Sequence, residues 1–264
     1  MPILPSVVRR VNARRLSQIE HFRKYPVETQ EKVLLEIVKT AASTEWGKKY
    51  EFSSVRSVED FQSRVPVRNY EDYLPFIDRL IKGEKDITWP GEVRWFAKSS
   101  GTTSAKSKFI PISRESLWDC HYQAAKDILT IYAVNYPDTK LFSGKALTLG
   151  GSNKINQLNN KSIFGDLSAL LIWNAPFYAE LVRTPSQKIA LIEDFEEKLD
   201  LITKATIRQN VTSFSGVPSW YLTLIKHVLA YTGKQNLLEV WPNLEVFFHG
   251  GISFTPYREI YRKL

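Results

Sequence analysis

Arg94-Trp95-Phe96-Ala97-Lys98-Ser99-Ser100-Gly101-Thr102-Thr103-Ser104-Ala105-Lys106-Ser107-Lys108-Phe109-Ile110-Pro111-Ile112 is the stretch on which the reading of this chain turns. Its two ends are short, aromatic and apolar, and read as strands; its middle is polar and reads as the turn between them. Between Ser99 and Lys108 lie six hydroxyl side chains, one glycine and two lysines. That is the composition of a phosphate grip: Gly101 lets the backbone approach an anion, the hydroxyls and amides donate, and Lys108 supplies a positive charge. An ordinary polar hairpin has much the same composition, so the residues alone leave both readings open. A Walker A loop is disfavoured, because the second glycine is missing and the lysine comes too late.

Outward from this stretch the periodicity changes. Towards the N-terminus it is helical: residues 27 to 42 carry Val27, Val33, Leu34, Ile37, Val38 and Ala41 in helical register, and Val58 to Phe61 and Tyr70 to Lys82 give shorter helices. Towards the C-terminus strands and helices alternate. Ser113 caps a helix to about Asn135, Lys145 to Leu149 is a buried strand, and Thr184-Pro185-Ser186-Gln187 is a capping box opening a helix to about Gln209. Strand Val211 to Phe214, helix Pro218 to Tyr231 stopping at Gly233, strand Leu244 to Phe248 and a helix opening at Thr255-Pro256 follow. The expectation is an α/β fold, a mixed sheet flanked by helices, with residues 1–90 a helical region packing on the sheet and 91–264 the α/β portion.

In such a sheet ligands bind at the carboxyl ends of the strands. Ser99 to Lys108, Gly150-Gly151-Ser152, Ser215-Gly216 and His249-Gly250-Gly251 each follow a predicted strand, so these four loops are expected to converge on one pocket. A glycine after a strand is also simply a turn, and for Gly150-Gly151 both readings stand. Residues Ser152 to Lys161 read as a surface connection, and Cys120, between Trp118 and Tyr122, as a small buried hydrophobe.

The chain has 264 residues, 43% of them hydrophobic, enough to bury the core of one large or two small domains. A single cysteine permits no internal disulfide and suits a reduced, cytoplasmic setting. No apolar run reaches the ~20 residues that cross a bilayer, so no membrane is expected. The net charge of +8 is concentrated in Arg9, Arg10, Arg14, Arg15, Arg23 and Lys24. These interleave with Val8, Val11, Leu16, Ile19 and Phe22 as on an amphipathic helix with a solvated basic side. No zinc-ligand spacing or recognition-helix signature accompanies them, and nucleic acid is not an expected partner.

Ser99-Ser100-Gly101-Thr102-Thr103, with Lys108 and Pro111 following, resembles the first nucleotide motif of the auxin-responsive Gretchen Hagen family of acyl acid amido synthetases, a branch of the acyl-adenylate-forming enzymes. Gly216-Val217-Pro218-Ser219-Trp220 and Trp241-Pro242-Asn243-Leu244-Glu245-Val246-Phe247-Phe248-His249-Gly250-Gly251 resemble stretches downstream of that motif in bacterial members. Ala105 stands where the family usually has glycine. The family's next motif, whose acid holds magnesium, and its C-terminal domain are not in the sequence, which is expected to be the N-terminal part of the fold.

The resemblance implies a two-step ligation: ATP activates a carboxylic acid as an acyl-adenylate, and an amine or amino acid then displaces AMP. It gives Ser99, Ser100, Gly101, Thr102, Thr103, Gly250 and Gly251 to the nucleotide, Lys108 to catalysis by neutralising phosphate charge, and Val217, Pro218 and Trp220 to the acyl substrate. The implied cofactors are ATP and magnesium, with the magnesium ligand outside this sequence. The alternative is a truncated or non-catalytic module that binds nucleotide or acid without turning either over.

Overall fold

The structure is a computed structural model and describes residues 10–99, 108–150 and 155–264. Two compact units emerge, Val11–Thr130 with Asn156–Gly165 and Ile131–Ile155 with Asp166–Leu264. Among the described residues no helix is long and apolar enough to cross a membrane.

The first unit opens with helices α1 (Ala13–Lys24), α2 (Pro26–Ala41), α3 (Glu45–Lys49), α4 (Val58–Arg64) and α5 (Tyr70–Ile81). Their starts follow from local chemistry. Pro26 begins α2, the side chains of Thr44 and Ser57 accept from the amides of Gly47 and Asp60, and Asn69 with Asp72 forms a capping box on α5. None of the α1 residues is buried, as a helix rich in arginine requires. Val38, Ala41, Trp46, Tyr50, Phe52 and Val55 make one apolar cluster; Ile77, Leu80, Ile87, Val93 and Phe96 make a second.

Strands β1 (Trp95–Ser99) and β2 (Lys108–Ile112) pair antiparallel, as the sequence predicts. After β2, the Ser116 amide donates to Ser113 Oγ at 3.1 Å, so Ser113 does open the next helix. It winds as a π-helix over Ser116–Tyr122 before continuing as α6 (Gln123–Asn135). Here one expectation fails: Leu117 is buried, but Cys120 is exposed, because wider π winding carries a residue three positions on away from the buried face.

Strands β3 (Lys145–Thr148), β4 (Asn156–Gln157) and β5 (Ile163–Gly165) follow. The segment read as a surface connection thus supplies β4, and Leu158 N donates to Ser162 O at 2.8 Å to close a hairpin onto β5. The order β2-β1-β5-β4 is mixed: β1 runs parallel to β5 and antiparallel to β2.

The second unit continues with α7 (Leu167–Trp173), α8 (Ala179–Val182), β6 (Arg183–Thr184), α9 (Gln187–Ala190), α10 (Phe195–Thr206), β7 (Val211–Gly216), α11 (Pro218–Thr232), α12 (Leu237–Val240), β8 (Val246–His249) and α13 (Arg258–Tyr261). The long helix expected from Ser186 to Gln209 is instead two. Gln187 does not close a capping box; its side-chain amide donates to the carbonyls of Ile172 and Trp173 at 2.9 and 3.0 Å, finishing α7. Asp194 then starts α10 by accepting from the Glu197 amide at 2.7 Å. At the C-terminus a 3-10 turn over Thr255–Tyr257, preceded by Phe254, stands where Thr255 was expected to cap a helix.

Strands β6, β3, β7 and β8 lie in that order and all run parallel. Leu147, Phe214, Tyr221, Ile225 and Trp241 centre their core, with α10 and α11 contributing Ile202 and Leu224. Parallel strands joined through helices place every β-to-α loop at one edge of the sheet.

Candidate functional site

Ser99 is the last residue of β1 and Lys108 the first of β2, and the two are cross-strand partners. Residues directly opposite in an antiparallel pair share a face, so a hydroxyl and an ammonium stand side by side at the root of the loop. Ser100, Gly101, Thr102 and Thr103 lie outside the described residues. Lys108 is half-buried, and its ammonium sits 5.1 Å from the centre of the Tyr70 ring. Tyr70 also grips the strand itself: its hydroxyl accepts from Phe109 N at 2.8 Å and donates to Phe109 O at 3.3 Å. The base of the loop is thus fastened to α5 by a residue 39 positions away, which no local pattern advertises.

The second unit brings three glycine-containing loops to the carboxyl edge of its parallel sheet. Leu149 N donates to Ser215 O at 3.1 Å and Gly250 N to Gly216 O at 3.3 Å, so the segments leaving β3, β7 and β8 are laced together. Tyr221, in the first turn of α11, completes the lacing: its hydroxyl donates to Leu147 O and accepts from Ser215 N at 3.2 Å. Burial pushes this phenol above its ordinary range. The hydrogen bonds of the Tyr221 hydroxyl to the β3 and β7 backbone are not visible in the sequence.

Gly216 is required by close approach, since a Cβ there would lie 2.8 Å from both Leu149 O and the Tyr221 ring. Gly251 has φ +84°, a conformation that disfavours side chains, and its Cβ would meet Val217 at 3.2 Å. Gly250 differs: a Cβ there would meet nothing within 4 Å. The backbone at Gly250 therefore borders open space, as a surface that admits a flat ligand must.

The remaining expected site residues flank that edge. Val217 is the N-cap of α11 and Pro218 its first residue, buried, with its carbonyl accepting from Tyr261 Oη at 2.7 Å. Trp220 is exposed one position before the buried Tyr221. His249, at the end of β8, stacks on Phe254 with ring centres 4.4 Å apart, and so packs as a ring. The 15-residue α11 starts directly after β7 with no side-chain cap, so the positive end of its dipole favours an anion there.

In the first unit, the hydroxyl and ammonium that share a face at Ser99 and Lys108 are donors that suit a phosphate-bearing ligand. Among the described residues no group of three His, Cys, Asp or Glu side chains could hold a metal ion.

Residues 15–264 match the family model described as the GH3 family N-terminal domain. An indole-3-acetic acid-amido synthetase of Arabidopsis thaliana, GH3.2, is 36% identical over 103 residues, covering 39% of this chain and 19% of its own length. A jasmonoyl-L-amino acid synthetase of Nicotiana attenuata, JAR6, is 26% identical over 163 residues, 61% of this chain and 27% of that one. Among solved structures, GH3.15 acyl acid amido synthetase superposes with a TM-score of 0.73 at 18% identity, covering 94% of this chain and 54% of that chain. The chain thus spans about half the length of that solved structure. The chain belongs to the GH3 family, its residues 15–264 matching that family's N-terminal domain.

Proposed function

We propose that this chain is the N-terminal part of an acyl acid amido synthetase, a ligase that joins a carboxylic acid to an amine or amino acid at the expense of ATP. One carboxylate oxygen attacks the α-phosphorus and pyrophosphate leaves; the amine nitrogen then attacks the acyl carbon, AMP leaves, and the nitrogen loses a proton. No protein nucleophile is needed, so the chain's task is positioning and charge neutralisation. The observation that carries the proposal is the hydroxyl-rich segment held between paired strands, with Ser99 facing Lys108 at its root.

In this reading Ser99, Ser100, Gly101, Thr102 and Thr103 hold the phosphates, and Lys108 offsets the charge that develops on pyrophosphate. Gly250 and Gly251 lie along the nucleotide, while Val217, Pro218 and Trp220 face the acyl substrate. Magnesium accompanies ATP as its counter-ion, and none of the described side chains is assigned to it. The single cysteine agrees with a cytoplasmic setting.

ATP–pyrophosphate exchange against a panel of carboxylic acids tests this, using the longest product of the reading frame beside the chain ending at Leu264. Acid-dependent exchange that Lys108→Ala removes supports the ligase. ATP binding without exchange for any acid in the longer product would instead support a nucleotide- or acid-binding module.

A further inference from the structure

Strand β2 lies at the edge of its sheet, in the order β2-β1-β5-β4, so β1 is its one strand neighbour. At Phe109 the Tyr70 hydroxyl stands in for a second, accepting from Phe109 N at 2.8 Å and donating to Phe109 O at 3.3 Å. On its other side Phe109 meets Phe164 of β5 edge-on, with ring centres 5.4 Å apart. Tyr70 is itself well placed to serve as a fixed point. It is the first residue of α5, where Asn69 N donates to Asp72 Oδ2 at 3.0 Å in the capping box. Further along α5, Ile77 and Leu80 are buried in the cluster that holds Phe96 of β1.

The two ends of the Tyr70 side chain do different things. The hydroxyl commits its one proton to Phe109 O and has none left for a ligand. The ring lies 5.1 Å from the Lys108 ammonium, which belongs to the residue before Phe109 and stands across the strand pair from Ser99. A cation held against an aromatic ring is attracted by the ring electrons, yet its N–H groups stay available to an anion. Without such a contact a lysine spreads its four-carbon stem over many rotamers. The ring narrows that spread and keeps the ammonium at the root of the hydroxyl-rich segment.

We propose that Tyr70 is a positioning residue for Lys108: its hydroxyl fixes the strand, and its ring holds the Lys108 ammonium where it meets the phosphates of ATP. The inference rests on the ligase reading, in which Lys108 offsets charge on the departing pyrophosphate, and adds to it a residue of α5 that touches no ligand. Because that charge develops as pyrophosphate leaves, loss of the ring acts on turnover more than on ATP binding.

ATP–pyrophosphate exchange in the longest product of the reading frame tests this, at a temperature where circular dichroism shows every variant folded. Tyr70→Leu should lower kcat about tenfold and change KM for ATP far less, as misplacement of a reacting charge does. Tyr70→Phe keeps the ring and should hold kcat within about threefold of the parent, although it melts earlier. Thr44→Ala, which removes a buried N-cap from α3 in the same unit, should also melt earlier and leave both constants unchanged. A second measurement needs no turnover: competitive acetylation of lysines, read by mass spectrometry. Tyr70→Leu should speed Lys108 by about threefold against the exposed Lys126, the worth of one cation–π contact, and Tyr70→Phe should not. A Tyr70→Leu protein with the parent kcat, or with an unmoved Lys108 labelling rate, would overturn the proposal and leave the ligase reading intact. Absence of exchange in the parent would instead sink the ligase reading and this inference together, so the two failures are told apart.

Discussion

The Lys108 ammonium lies 5.1 Å from the centre of the Tyr70 ring, while the Tyr70 hydroxyl takes both the N–H and the C=O of the next residue, Phe109. One side chain therefore fixes both the strand that leaves the hydroxyl loop and the charge at its base. Tyr70→Phe keeps the ring but strands a part-buried amide. It should lower the unfolding free energy by ~1–3 kcal/mol in urea titration. Tyr70→Leu also removes the cation–π contact and should cost about 0.5–1 kcal/mol more. A Tyr70→Phe protein as stable as the parent would show that the clasp contributes nothing.

Three tyrosines of the second unit should make the protein sensitive to alkali. Burial, the leading cause in each case, raises the phenol of Tyr221, and likewise those of Tyr132 and Tyr261; Glu245 at 2.8 Å from Tyr132 Oη raises that one further. A raised folded pKa means that the native state keeps protons which the unfolded chain releases above about pH 10. Stability should therefore hold below that value and fall as pH rises beyond it. Tyr221→Phe should flatten part of the decline, read as urea midpoints between neutral and strongly alkaline buffer. An unchanged slope would remove Tyr221 as a contributor.

Asp194 is predicted to be worth more than its exposed surroundings imply. Its side chain caps the Glu197 amide at 2.7 Å and separates α9 from α10. Asp194→Ala should cost ~1 kcal/mol, and Asp194→Asn, which keeps an acceptor, much less. Equal losses for the two would mean that the carboxylate's charge at the helix start matters more than its hydrogen bond.

This position also marks where the sequence stops being legible. Elements closed by their own residues are read well: α11 runs from Pro218 to Thr232 with Gly233 behind it, and β1 and β2 flank the hydroxyl loop as their aromatic and apolar residues suggest. The run Ser186 to Gln209 is misread because Gln187 serves the end of α7, 14 and 15 residues earlier, instead of its own helix. Cys120 is misplaced because π winding shifts the buried face, and periodicity arguments assume α winding. At the site, the glycine loops are visible as motifs. Tyr70 and Tyr221 are not, because their value lies in hydroxyl contacts to backbone that only the assembled sheets bring near.

Three neighbouring glycines separate packing from ligand contact, because the same added methyl group meets different surroundings. At Gly216 it would sit 2.8 Å from Leu149 O and from the Tyr221 ring, in the middle of the lacing between β3, β7 and α11. Gly216→Ala should destabilise by ~1–3 kcal/mol, since neither backbone nor buried ring can yield freely. At Gly251 the space is easier but φ is +84°, so Gly251→Ala should cost ~1–2 kcal/mol as backbone strain. Gly250 has neither constraint, and Gly250→Ala should leave stability within ~0.5 kcal/mol. If the proposed nucleotide lies along this edge, that added methyl projects into its place, and ATP affinity should fall while the melting profile stays put. Calorimetric titration of ATP beside thermal melts of the three variants resolves the matter. A Gly250→Ala protein of normal stability and normal ATP affinity would remove Gly250 from the nucleotide site, whereas a selective loss of affinity would attach the open edge of the parallel sheet to nucleotide binding on evidence independent of the hydroxyl loop.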